Sequence, residues 1–289
     1  MKQLTVISGK GGTGKTTVTA AFAGLAENTI LADCDVDAPD LHLLLKPIVQ
    51  DKMPFYGLKL AKMDNDKCTS CGLCREHCRF RAISDDFEII NDRCEGCGVC
   101  EYVCPTGAIE LVERISGYTY ISNTRFGPMV HAVLNTAEEA SGMLVSMVRN
   151  SARDLAKKNE AETIIIDGPP GTGCSVIASI VGVDLVLIVT EPTLSGISDM
   201  KRVLEVTEHF DIPAVVCVNK YDINVENTKD IVSYCETKEV DVIGKLPYDD
   251  VATRSMIAEK TVNEYSDGEL ARGIWDIWSI LNKRLKEIV

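Results

Sequence analysis

The stretch VISGKGGTGKTT, Val6 to Thr17, governs how the rest of the chain is read. An apolar run, LTVIS, leads into it, and TTVTAAFAGLA follows. Its glycines therefore fall between a strand and a helix. The pattern G-x4-G-K-[ST] occupies Gly9 to Thr16. Glycines allow such a loop to curl until its backbone N–H groups point inward, and the helix behind it adds the positive end of its dipole. Together these hold phosphate. Lys15 is expected to reach the terminal phosphates and Thr16 to ligate Mg²⁺, with Gly9, Gly11, Gly12, Thr13, Gly14 and Thr17 completing the cradle. A second lysine, Lys10, is surplus to that requirement.

Outward from the loop, the spacing predicts a helix from about residue 16 to 26 and a second strand in TILADCD. This βαβ beginning favours a parallel sheet. The same rhythm fills the second half of the chain. ETIIID, DLVLIVT, AVVCVNK and VIGKLPYD read as strands, with helices over about 138–158 and 196–210. These runs do not alternate, as expected when helices cover both faces of a sheet. The last twenty residues read as one amphipathic helix, with Leu270, Ile274, Ile277, Trp278, Leu281, Leu285 and Ile288 on one face. Its polar face mixes acids and bases, which suits packing on the sheet better than a membrane surface.

Between these halves the pattern breaks at Pro47, Pro54 and Gly57, and a cysteine block begins. Of twelve cysteines, eight lie between Cys68 and Cys104. CTSCGLCREHCRFRAI and CEGCGVCEYVCPTGAI align without a gap, 26 residues apart, so the block is an internal duplication. Each copy reads C-x2-C-x2-C-x3-C, the spacing of bacterial-type ferredoxins that hold two [4Fe–4S] clusters. In that pattern the fourth cysteine of each run serves the other cluster. One cluster is thus expected on Cys68, Cys71, Cys74 and Cys104, the other on Cys94, Cys97, Cys100 and Cys78. Zinc, the alternative thiolate-bound metal, rarely needs eight cysteines so arranged. In the first copy Arg79 stands where the second has Pro105, and Arg75 and Arg81 add further positive charge.

The form KGGTGKTT resembles the deviant Walker A motif of the MinD/ParA/Mrp-type ATPases. That resemblance gives Lys10 a role: the first lysine of this family reaches across a homodimer to the partner's nucleotide. It extends through ADCDVDAPDL, matching switch I, where Asp35 would position the attacking water, Asp33 would hold Mg²⁺ through water, and Asp37 is a third acid. IIIDGPPGTG matches Walker B and switch II, with Asp167 acting on Mg²⁺ and the Gly171 amide sensing the γ-phosphate. VNKYD, Asn219 to Asp222, also fits the guanine-reading N-K-x-D pattern, whereas in this family an Asn at that strand end contacts adenine. Pro247, Tyr248 and Asp249 match the second base-side loop. ATP is the expected nucleotide and GTP the alternative.

The expected architecture is therefore α/β. Residues 1–61 and 115–289 would form a mostly parallel P-loop NTPase sheet covered by helices, and 62–114 an inserted ferredoxin-like domain. A formal charge of −13 argues against a nucleic-acid binder, and no apolar run approaches the roughly eighteen residues of a membrane span. A glycine loop stands where a secretory apolar region would lie, so a cytoplasmic setting with reduced thiols is expected. Cys34 and Cys217 lie in apolar strands and read as core; Cys174, just after switch II, is the remaining open case. The C-terminal C-x2-C of Mrp-type cluster carriers has no counterpart after Cys104. The implied function is Mg-dependent ATP hydrolysis in a homodimer whose nucleotide state gates the clusters, for electron delivery or metal-cofactor assembly on a protein partner. A partner-positioning switch with structural clusters and a cluster scaffold or carrier are the alternatives.

Overall fold

The structure is a computed structural model that describes residues 1–288 other than 136, 137 and 139. The chain opens with β1 (Lys2–Ser8), α1 (Lys15–Leu25), β2 (Thr29–Asp33), α2 (Leu41–Leu45) and β3 (Ile48–Tyr56). The cysteine block contributes β4 (Leu60–Met63), α3 (Leu73–His77), α4 (Val99–Tyr102) and β5 (Ile109–Val112). Then come β6 (Ile115–Thr124), β7 (Gly127–Leu134), α5 (Ser141–Lys158), β8 (Thr163–Pro170), α6 (Cys174–Ile180), β9 (Leu185–Thr190) and α7 (Leu194–His209). β10 (Ala214–Asn219), α8 (Val225–Thr237), β11 (Val242–Leu246), α9 (Val251–Ile257), α10 (Val262–Tyr265) and α11 (Glu269–Glu287) complete it.

Two compact units emerge. One comprises Met1–Lys52, Thr119–Val133 and Gly142–Val289; the other comprises Met53–Tyr118 and Leu134–Ser141. The boundaries fall inside β3, β6, β7 and α5, not in linkers.

The sheet order is β11-β10-β9-β1-β8-β2-β7-β6-β3, and the pairings from β11 through β7 are all parallel. β1 lies between β8 and β9, and its last six residues are buried. Its register slips between Val6 and Ser8, where the chain leaves the sheet to form the glycine loop. The amphipathic C-terminal helix lays its apolar face on the core: Leu270, Ile274, Ile277, Trp278, Leu281 and Leu285 are buried, and the Trp278 ring lies 5.4 Å from that of Phe22. A side chain at Gly244 in β11 would overlap Ile277, so that close approach of helix to strand requires glycine. Thr261 and Glu264 form a reciprocal cap on α10. Arg125 pairs with Glu264 at 2.6 Å, and its hydrogen bonds hold that carboxyl down to about 2.

In the second unit β4 and β5 pair antiparallel, and Ala61, Cys74, Ile83 and Ile109 form a small core. The duplication survives in the backbone. Gly72 and Gly98, equivalent in the two copies, both take φ near +80° immediately before α3 and α4. Only glycine does this without strain.

Five strands, β3 to β7, lie where no strand was expected. Pro54 reads as a breaker, but β3 is an edge strand, where a missing N–H is tolerated. The expected beginning of α5 at residue 138 falls partly on residue 139, outside the described residues; the described helix starts at Ser141. The expected end of the last helix likewise includes residue 289, outside the described residues. No helix among the described residues is long and apolar enough to cross a membrane.

Candidate nucleotide site and thiol cavities

The glycine loop opens at the carboxyl ends of the parallel strands, the side on which open α/β sheets bind ligands. Lys15 is buried at the start of α1, with Nζ 3.0 Å from Asp167 Oδ1 and 3.4 Å from Asp35 Oδ2. Thr16 donates to Asp167 Oδ2 at 2.8 Å, and Thr19 donates to Oδ1 at 2.9 Å. The β2–β8 register sets Asp33 beside Asp167. Asp33 is fully buried; its Oδ1 accepts the Asp35 N–H at 3.1 Å, while its Oδ2 has no partner. Asp37 is exposed, and its charge reaches Asp35.

Burial pulls the Lys15 ammonium down, but Asp167, Asp35 and Asp33 more than offset it and hold its pKa above the ordinary lysine value. Burial first, then Asp167, push the Asp33 carboxyl well above the usual carboxylate range. Burial also raises Asp35, against the pull of Lys15. Three acids against one ammonium leave an excess of negative charge beside an orphaned buried oxygen. Such a donor set fits a hard divalent cation on oxygen ligands, with Thr16, Asp33 and Asp167 around it. Thr13 Oγ1, also buried, has no partner either, as befits a loop whose inner groups face an anion.

Lys10 makes no contact with these acids. Its Nζ lies 2.7 Å from Glu191 Oε1 and donates to Ser195 Oγ at 2.9 Å and Thr193 Oγ1 at 3.2 Å. Lys220 takes the other Glu191 oxygen at 2.9 Å and also donates to the Gly12 carbonyl at 3.0 Å. Burial would raise Glu191, but hydrogen bonds from Lys10 and Lys220 keep its carboxyl below the usual range. Glu191 was not singled out from sequence. The available signal is an acid directly after the fully buried strand β9, at the sheet edge where the other site residues cluster.

A solvent-open hollow of about 740 Å³ lies beside the loop, walled by Thr17, Asn219, Pro247, Tyr248, Asp249 and Met256. Asn219 donates to the Thr13 carbonyl at 2.7 Å, joining β10 to the loop. Asp222, which would read guanine, accepts the Tyr248 N–H at 2.7 Å and so braces the base-side loop instead. Met256 and Ile274 complete the wall from α9 and α11, outside the sequence motifs. Gly171 takes φ +97°, and its amide donates to the Ser8 carbonyl at 2.9 Å. Gly11 and Gly12 leave open space where a Cβ would stand, whereas a Cβ at Gly9 would strike the backbone of Asp199 in α7 and one at Gly14 the Asn219 side chain.

In the second unit the eight thiols line two hollows. Cys68, Cys71, Cys74 and Cys104 line one; Cys78, Cys94, Cys97 and Cys100 line the other. Backbone N–H groups donate to sulfur within each set: Ser70 to Cys68 at 3.4 Å and Ala108 to Cys104 at 3.2 Å in the first, and Ala82 to Cys78 at 3.4 Å in the second. Among the described residues no three His, Cys, Asp or Glu side chains converge on the point a single metal ion needs. Four thiols around an apolar space, with amides aimed at sulfur, are a donor set suited to a polynuclear iron–sulfur cluster. Cys34, Cys217 and Cys235 are buried core residues, and burial lifts Cys217 to about 12; Cys174 is exposed at the start of α6.

Residues 4–262 match the family model described as the CobQ/CobB/MinD/ParA nucleotide binding domain. An uncharacterised protein of Methanocaldococcus jannaschii is 37% identical over 226 residues, covering 77% of this chain and 79% of its own. An iron–sulfur cluster carrier protein of Pyrococcus horikoshii is 24% identical over 99% of this chain and 87% of its own. Among solved structures, the septum site-determining protein MinD of Pyrococcus horikoshii, complexed with Mg-ADP, superposes with a TM-score of 0.60 at 17% identity, covering 100% of this chain and 98% of its own. That likeness shows the fold. The family model spans most of the chain, and with the loop, the paired acids and the parallel sheet it places this chain in the CobQ/CobB/MinD/ParA nucleotide-binding family, a family of P-loop ATPases.

Proposed function

We propose that this protein is an ATP-hydrolysing homodimer whose nucleotide state gates two [4Fe–4S] clusters, for electron delivery to a partner protein or assembly of a metal cofactor on it. One observation carries the cluster half of this reading. The thiols gather in two sets of four, and each set takes three cysteines from one copy of the repeat and one from the other. Thiolates in these sets would hold the clusters, which supply one-electron chemistry when bound. The chain's own contribution is to shield one with Ile83, Ile89 and Leu111 and the other with Met63, Phe87 and Ile109, and to direct amides at the sulfurs.

The nucleotide half rests on contacts that ATP would replace. Lys15 spends its charge on Asp167 and Asp35, and the Gly171 amide is occupied by Ser8. A γ-phosphate would compete for both donors, which is how a bound phosphate reorders switch loops. Switch I lies a short α2 away from β3, a strand that continues into the second unit. ATP is favoured over GTP because the one carboxylate suited to guanine is engaged by Tyr248.

Protein prepared without oxygen should contain about eight irons per chain, and the Cys71→Ser/Cys104→Ser double variant about four. Near-zero iron in the native chain would remove the cluster reading. Loss of both clusters in the double variant would instead mean that each repeat fills its own site. A carrier role has one observation in its favour, the end-to-end likeness to an archaeal iron–sulfur cluster carrier. Transfer of clusters from the loaded protein to an apo-acceptor, with iron leaving this chain, would select it over gated electron delivery.

A further inference from the structure

We infer that Glu191 is a positioning residue that parks Lys10 inside its own subunit and so sets how readily the ATP-bound dimer forms. This rests on the reading that Lys10 acts in trans. Lys10 is held by three groups of its own chain: the Glu191 carboxylate at 2.7 Å, Ser195 Oγ at 2.9 Å and Thr193 Oγ1 at 3.2 Å. All three lie just beyond β9, at the beginning of α7. A lysine so held directs its ammonium at groups of its own chain. To reach a second subunit it must leave all three contacts.

The arrangement is built for that departure. A buried ion pair is costly to break when it leaves one charge without a partner. Here the second Glu191 oxygen is already paired with Lys220 at 2.9 Å, so the carboxylate stays neutralised when Lys10 goes. The Lys10 side chain is 29% exposed while that of Glu191 is 12% exposed, so the lysine is the member with the freer path to solvent. Lys220 also grips the Gly12 carbonyl, and its neighbour Asn219 grips the Thr13 carbonyl. Glu191 therefore remains tied to the glycine loop through Lys220 in either position of Lys10. Partner phosphate and Glu191 compete for one ammonium, and the balance between them fixes the ATP-dependent monomer–dimer equilibrium.

The test is the protein concentration at half-dimerisation in saturating ATP and Mg²⁺, measured by light scattering on the anaerobically prepared full chain. Glu191→Gln keeps shape and hydrogen-bonding capacity but removes the charge. It should lower that midpoint by about tenfold, an ordinary coupling between sites. Ser195→Ala, at an exposed position, removes the hydrogen bond from Lys10 and a 3.3 Å one with Thr193 Oγ1 without touching Glu191, and should lower it by about threefold. The effect must run through Lys10, so Lys10→Ala/Glu191→Gln should match Lys10→Ala alone. An unmoved or raised midpoint in a folded Glu191→Gln chain overturns the parking role; if that chain does not fold, an unmoved midpoint in Ser195→Ala does so. If Lys10→Ala still dimerises with ATP, it is the trans-acting lysine that fails. If Lys10→Ala is monomeric and neither Glu191→Gln nor Ser195→Ala moves the midpoint, the parking role alone fails.

Discussion

A Lys10→Ala chain should bind ATP within about threefold of the native affinity while its turnover falls by roughly 10³-fold or more, the scale set by charges supplied in trans to a phosphoryl transition state. The two effects separate because the two lysines occupy different surroundings. Lys15 is buried against Asp167 and Asp35 and anchors the cradle; the Lys10 ammonium is held by Glu191, Thr193 and Ser195, beyond β9. Removing Lys10 leaves Lys15, Thr16 and the loop amides in place. What is lost is the cation that would cross to the other subunit, and with it ATP-driven dimerisation. Equilibrium binding of a fluorescent ATP analogue, set beside steady-state phosphate release, checks both halves. Native turnover in the variant would end the trans role.

Asp35→Ala should slow hydrolysis by about 10²- to 10⁴-fold, the usual range for losing a group that positions or activates a reacting proton. The same change should prolong the ATP-bound dimer. Asp35 is the half-buried acid of the trio, and the only one whose loss leaves the Thr16–Asp167–Thr19 bonding intact and Asp33 still beside Asp167. Lys15 keeps Asp167 at 3.0 Å. Removing one carboxylate from a site with excess negative charge also favours the incoming phosphates. ATP binding should therefore hold or strengthen while the chemistry stalls. Gel filtration of the ATP-loaded variant over hours, with hydrolysis followed in parallel, is the check. A hydrolysis rate equal to the native one would reject this role for Asp35.

The parts of the fold legible in advance share a physical cause. β1, β2, β8, β9 and β10 are covered on both faces, so they are written as unbroken apolar runs, and all but β9 end in a motif whose chemistry needs particular residues. The cysteine sets were legible because a duplicated spacing carries over directly into two hollows. β3, β6 and β7 were not. β3 is an exposed edge strand with a proline, and β6 and β7 meet through two residues, Arg125 and Phe126, without a strong turn signature. Their pairing is set by the neighbouring sheet and not by local pattern.

The site divides along the same line. Lys15, Thr16, Asp33, Asp35 and Asp167 come from motifs and converge in space. Glu191, Ser195 and Met256 do not belong to any motif; only the fold brings them to the loop. The exposure of Asp37 and the engagement of Asp222 with Tyr248 are likewise tertiary facts, decided by which way a strand end turns. Cys174 belongs to neither thiol hollow.

The account stands on coupling between a phosphate sensor and a pair of thiol-held clusters. Its most direct measurement is an anaerobic redox titration of the native chain, followed by electron paramagnetic resonance, in Mg-ATP and in Mg-ADP. A coupling of about 1–3 kcal/mol corresponds to a one-electron shift of about 40–130 mV, and at least one cluster should move by that much between the two nucleotides. Midpoints and spectra that coincide in ATP and ADP, on protein carrying its full iron, would contradict it.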